Sequence, residues 1–264
     1  MWRWIMSFQK ILGAILLVLL ILVLGAIVFL RQFGQIYSEP VPSPSPSPVV
    51  VATPTPTPLP TPTPTPEPYA DKPNIDISSW EYTLVNKDNL LSADFTPELA
   101  AVENGQNFDS RAINALNEFV VAAKSEGLSV YITSSFRNYD TQEYLFNKKV
   151  NEYISSQGSK EAAIEKAKTI VAYPGTSEHQ LGLACDIVDK YYPSMNETLA
   201  NTALSQWMAA HSTEYGFILR YPKDKTDITG VMFEPWHYRY VGKEAAAYMK
   251  ENDLTLEEFV ALYK

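Results

Sequence analysis

Apolar residues are distributed along this chain in three distinct patterns. From Ile11 to Leu30 it reads ILGAILLVLLILVLGAIVFL, twenty residues without a charge. At about 1.5 Å per residue such a run just crosses a hydrocarbon layer roughly 30 Å thick, so residues 11–30 are predicted to form a transmembrane helix. A signal peptide is the competing reading. Its apolar stretch is normally only about 7 to 15 residues, however, and no small-x-small cleavage site follows before Arg31. Arg3 and Lys10 precede the run and only Arg31 closely follows it. That bias keeps residues 1–10 in the cytoplasm and predicts a single-pass protein of the cell membrane, with all that follows residue 30 outside.

The second pattern has no hydrophobic period. Between Glu39 and Pro68, proline alternates with serine or threonine, and thirteen of the chain's 19 prolines fall there. Each fixes φ and removes a backbone donor, so neither helix nor sheet is expected. Residues 31–70 are predicted to be a disordered extracellular linker. In the polyproline II conformation, at about 3.1 Å per residue, the tract from 39 to 68 would reach roughly 90 Å.

Helical and strand periods appear only in the third part, residues 71–264. Ser110 to Gly127 places Ile113, Leu116, Phe119, Val120 and Ala123 on one helical face and ends in a glycine suited to a C-terminal cap. Helices are also expected at Thr141–Tyr153, Ser159–Val171, Glu197–Tyr215 and Leu254–Tyr263, and strands at Leu128–Thr133, Ala184–Val188 and Tyr238–Val241. This order predicts one α+β domain, a small, mainly antiparallel sheet flanked by helices. A span of this size buries enough core to be stable without staples.

Charge narrows the partners. The net charge is −9, and residues 1–70 contain only Arg3, Lys10, Arg31, Glu39 and Glu67, so the folded part is acidic. A phosphate backbone would be repelled, which excludes nucleic acid as a partner. The single Cys185 offers neither an intramolecular disulfide nor a cysteine metal cage. A monomeric folded domain is the expectation.

Only three histidines occur, and two stand among carboxylates, in SEHQLGLACD (Ser177 to Asp186) and EPWH (Glu234 to His237). A catalytic zinc needs about three protein ligands and an open position, and His179, Asp186 and His237 supply two imidazoles and a carboxylate. Glu234 is then left free to act as a base. A strand through Ala184 and Asp186 turns Cys185 to the opposite face, where it would pack. Gly182 is expected where the backbone passes close to the site. Pro235 disfavours the α region for Glu234, so a turn must bring Glu234 and His237 together. His211, alone in AAHST, is read as structural.

These motifs give the chain a resemblance to the VanY-type D-alanyl-D-alanine carboxypeptidases, within the wider family of zinc D,D-peptidases. It runs from about Tyr82 (YTLVNKDNLLSADFTPEL) through SSFRNYDTQEYLF and PGTSEHQLGLACDIV to GVMFEPWHYRYVG, nearly all of the folded part. It implies that His179, Asp186 and His237 bind Zn2+, that Glu234 is the catalytic base and that Arg137 stabilises the oxyanion. Ser177 and Gln142 match substrate-contacting positions, and Tyr139 and Trp236 are candidates for the pocket wall. The implied reaction removes the terminal D-alanine from peptidoglycan stem peptides. An L,D-carboxypeptidase acting on tetrapeptide stems would use the same metal site, and a non-catalytic wall-binding or sensing domain would be expected to have lost one of the four residues.

Overall fold

Val130 and Ile132, Cys185 and Ile187, and Phe217 and Tyr238 all turn to one side of a four-stranded sheet, into the main hydrophobic core. The residues between them turn to the other side, and that second face carries the chemistry. The computed structural model describes Tyr69 and residues 71–264. The predicted membrane run and most of the proline-rich tract lie outside the described residues. Among those described, no helix is long and apolar enough to cross a membrane.

A two-stranded ribbon comes first, β1 (Leu99–Ala101) against β2 (Asn107–Asp109), followed by α1 (Ile113–Ser125) and β3 (Val130–Ser134). Next come α2 (Tyr139–Gln157) and α3 (Lys160–Lys168), β4 (Ala184–Asp189) and α4 (Ala203–His211). The chain ends with β5 (Phe217–Leu219), α5 (Thr226–Thr229), β6 (His237–Tyr240), α6 (Lys243–Glu251) and α7 (Leu256–Ala261). The main sheet runs β3-β4-β6-β5 and every pairing is antiparallel. This is the mixed fold with small antiparallel sheets that the hydrophobic pattern implies.

On the core face, Phe119 of α1 stacks on Phe217 with ring centroids 5.3 Å apart and meets Tyr238 edge-on at 5.7 Å. These contacts fix the height of α1 over the sheet. Cys185 is fully buried in this layer, as the strand alternation requires.

The helix expected over Glu197–Tyr215 is divided. Thr202 is extended and its hydroxyl accepts from the Ser205 N–H, so a new helix starts there, between 3-10 turns at Glu197–Asn201 and Ser212–Tyr215. An N-capping side chain satisfies a backbone donor that an uninterrupted helix would have bonded itself. At α7 the cap is reciprocal: Thr255 accepts from the Glu258 N–H and Glu258 accepts from the Thr255 N–H. This capping box holds the first turn of α7, from which Glu257 accepts from Arg220.

Candidate active site and metal centre

Asp186 and His237 are direct cross-strand partners in the β4–β6 pairing. Residues so paired have Cβ atoms only about 4.5–5.5 Å apart, so register alone sets the two side by side on the face away from the core. His237 Nδ1 lies 3.1 Å from Asp186 Oδ1. His179 enters from the 3-10 turn Glu178–Leu181, and its Nε2 lies 3.2 Å from Asp186 Oδ2. The two imidazoles meet edge to face at 4.9 Å. One ligand atom from each of the three residues lies within 4.8 Å of the others, and all three side chains are buried.

The turn ends at Gly182, whose φ of +72° reverses the chain into β4. A Cβ there would lie 3.1 Å from Pro97 Cγ and 3.2 Å from the Asp109 backbone N. The close approach that glycine permits is therefore to the β2 ribbon, not to the ligands as the sequence suggested. It matters indirectly, because the Gly182 carbonyl accepts from the Asp109 N–H and seats the ligand turn.

The SSFR segment after β3 serves the cluster twice. The Ser135 carbonyl lies 2.6 Å from His179 Nδ1, which fixes the proton there and leaves Nε2 free for a cation. Arg137 donates its backbone N–H to the His179 carbonyl and brings Nη2 to 4.0 Å from Asp186 Oδ2. Glu234 adjoins His237. Its carbonyl accepts from the His237 N–H in the turn that Pro235 favours, and its Oε2 lies 3.7 Å from His237 Nδ1.

Burial and charge set the protonation of these groups. Burial, reinforced by Arg137, pushes His179 down to about 4, so it is a neutral imidazole. Burial acts the same way on His237, but the adjoining carboxylates of Asp186 and Glu178 outweigh it and raise the group to about 9. Asp186 is desolvated too, yet His179 and His237 hold it well below the usual carboxylate range. Glu234 goes the other way: burial, with Asp186 and Glu178 adding repulsion against the pull of His237 and Arg137, raises it to about 7. A carboxylate poised near neutrality exchanges protons readily at physiological pH.

Two imidazoles and one anionic carboxylate on a shared centre suit a zinc ion with an open position. The backing of His179 by a backbone carbonyl is the outer-shell arrangement such ligands require.

Ser177 is buried at the start of the ligand turn, and its hydroxyl makes no capping bond. Gln142 is also buried, donating from Nε2 to the Ala172 carbonyl at 2.6 Å, so it ties α2 to the segment leading to His179. Tyr139, half-buried, lies against Gly175 of that segment. Trp236, half-buried, continues the ladder through its carbonyl, which accepts from the Ile187 N–H. His211 bonds to Glu214 and stacks on Trp207, consistent with its structural reading.

Sequence reading passed over Ser135, Glu178, Arg220, Tyr221 and Arg239. Tyr221 packs on His237 with centroids 4.8 Å apart. Glu178, Arg220 and Arg239 form a charged group that is almost wholly buried. The available signal was Arg239 in HYRY, a charge on the same strand face as His237.

The VanY family profile, described as D-alanyl-D-alanine carboxypeptidase, matches residues 105–243. A D-alanyl-D-alanine carboxypeptidase of Enterococcus faecalis is 41% identical over 186 residues, covering 70% of this chain and 67% of that protein. Among solved structures, a vancomycin-resistance D,D-pentapeptidase VanY from a VanB-type cassette, in complex with Zn(II), is 40% identical. It superposes with a TM-score of 0.62 over 69% of this chain and 99% of that one. VanYB in complex with D-alanine-D-alanine is also 40% identical, with a TM-score of 0.64 over 70% of this chain and 100% of that one.

Proposed function

This chain belongs to the VanY D-alanyl-D-alanine carboxypeptidase family, and on that footing we propose that it is a zinc-dependent D,D-carboxypeptidase that releases the terminal D-alanine from peptidoglycan stem peptides. The observation that carries the reading is the convergence of His179, Asp186 and His237 on one centre, with Glu234 3.7 Å from His237 Nδ1 and Arg137 4.0 Å from Asp186 Oδ2.

His179 Nε2, His237 Nδ1 and a carboxylate oxygen of Asp186 would hold the ion. Zinc bound there supplies Lewis acidity and makes water a nucleophile near neutral pH. Glu234 takes the proton of the attacking water and returns it to the nitrogen of the departing D-alanine. Arg137, fixed through its backbone bond to the His179 carbonyl, places a guanidinium against the negative charge that develops on the scissile carbonyl oxygen. Its side chain is only 20% exposed, and charge stabilisation is stronger where water is excluded.

The test is mass spectrometry of stem peptides incubated with the full chain in detergent. Pentapeptide stems are expected to lose one D-alanine; a chelator should stop the reaction and added zinc should restart it. Cleavage confined to tetrapeptide stems would replace this reading with an L,D-carboxypeptidase, and intact substrates in every arm would sink it.

The apolar run at 11–30 and the proline-rich tract support a tether, which would hold the enzyme outside the cell while it searches wall roughly 90 Å from the bilayer. Protease shaving of intact cells should remove the domain from the membrane fraction. Recovery of the chain in the soluble cytosol would rule the tether out.

A further inference from the structure

Behind the ligands, on the side of His237 away from Asp186, the fold buries a carboxylate that the reaction does not use. Glu178 is 1% exposed. Its Oε1 accepts from Arg220 Nε and Arg239 Nη1, both at 2.8 Å, and is thereby fully engaged. Its Oε2 points to His237 Nε2 at 3.5 Å. Neither of those two atoms has a hydrogen-bond partner of normal geometry among the described residues, and both are buried. An unmatched acceptor and an unmatched donor facing each other cost free energy until they bond, and closing the gap takes a movement of only a few tenths of an ångström.

Both arginines are themselves held. Arg220 makes a bidentate pair with Glu257, at 2.8 and 2.6 Å. Arg239 donates to the carbonyls of Glu81, Thr83 and Tyr240, each at 2.9 Å. Two carboxylates thus balance two guanidiniums, and Oε1, pinned from two directions, leaves Oε2 no aim but the imidazole.

We propose that Glu178 is the positioning residue for His237: it accepts the Nε2–H, locks the ring in that tautomer and so presents Nδ1 to the metal. The inference rests on the metal-site reading above and adds a group outside the ligand set. Ser135 does the same for His179 from its Nδ1 side, so the two imidazoles are held in opposite tautomers.

Two measurements test it. In the full chain labelled with 15N-histidine and loaded with zinc, the His237 ring should carry its proton on Nε2. A proton on Nδ1 with zinc bound would overturn the proposal and leave the metal site standing, whereas a chain that takes up no zinc overturns both. In competition with a chelator, Glu178→Gln should bind zinc about 10–100-fold more weakly, the usual range for a lost outer-shell partner, with a smaller change in kcat at saturating zinc. Glu257→Gln disturbs the same arginine without facing His237 and should leave zinc affinity unchanged. Equal weakening in the two variants, or none in Glu178→Gln, would refute the assignment. Should Glu178→Gln fail to fold, the wild-type tautomer decides.

Discussion

Replacing Glu234 with Gln is expected to lower kcat by about 10²–10⁴-fold, the range that a positioned general base supplies, while leaving the zinc content of the protein unchanged. Glutamine keeps the length and hydrogen-bonding shape of the side chain, so the turn before β6 has no reason to move. What it loses is basicity. Glu234 is buried enough to be raised to about 7 and lies 3.7 Å from His237 Nδ1, close to the ligands without sharing their face-to-face pairing. Steady-state D-alanine release and metal analysis of the same preparation read both quantities. Turnover within tenfold of the parent would remove Glu234 from the mechanism, and loss of zinc would make it a ligand instead.

The second large effect is on stability. Arg220→Ala should cost about 3–5 kcal/mol, because removing one partner of a buried ion pair leaves uncompensated charge in a low-dielectric interior. Arg220 is 1% exposed and serves two carboxylates, Glu178 and Glu257, of which only Glu178 retains a second arginine. For a domain of this size, that corresponds to a fall in Tm on the order of 10 °C. Adding Glu257→Gln to Arg220→Ala should recover part of the loss, since the stranded charge goes with it. The exposed pair Lys149–Glu152 is the contrast, because water screens it and breaking it should cost far less. Thermal and denaturant unfolding of these variants measure the difference. An Arg220→Ala loss no larger than that of Lys149→Ala would show that the buried group is not a stabilising clamp.

The buried charge network borders the candidate metal site. The same Glu178 that neutralises Arg220 and Arg239 faces His237, and the same strand that carries Arg239 carries the ligand two residues earlier. Of the network's members it is Glu178 that faces the imidazole, at 3.5 Å from His237 Nε2.

Much of this was readable along the chain, for a physical reason. Period-2 alternation in LSVYIT and ACDIV sets Ile132, Cys185 and Ile187 toward the core, so Asp186 is forced to the opposite face. The 3.6-residue period of the segment around Leu116 and Phe119 likewise determined α1. Residue chemistry determined the ligand candidates, because two imidazoles and an aspartate in dense acidic motifs have few other uses. The strands β1, β2 and β5 were not legible, being three residues long and too short to show a period. α6 was also missed, and the break at Thr202 depended on a local capping bond rather than on hydrophobicity.

Sequence by itself thus determined which faces are buried and which residues can bind a cation, since side-chain direction and donor chemistry are local properties. Tertiary structure alone decided that Asp186 and His237 stand opposite one another, that a Ser135 carbonyl sets the proton of His179, and that Glu178 lies between two arginines behind His237. Those are relations between residues 42 to 61 positions apart, created by strand register and by the need to neutralise charge where no water reaches, and no local pattern encodes them.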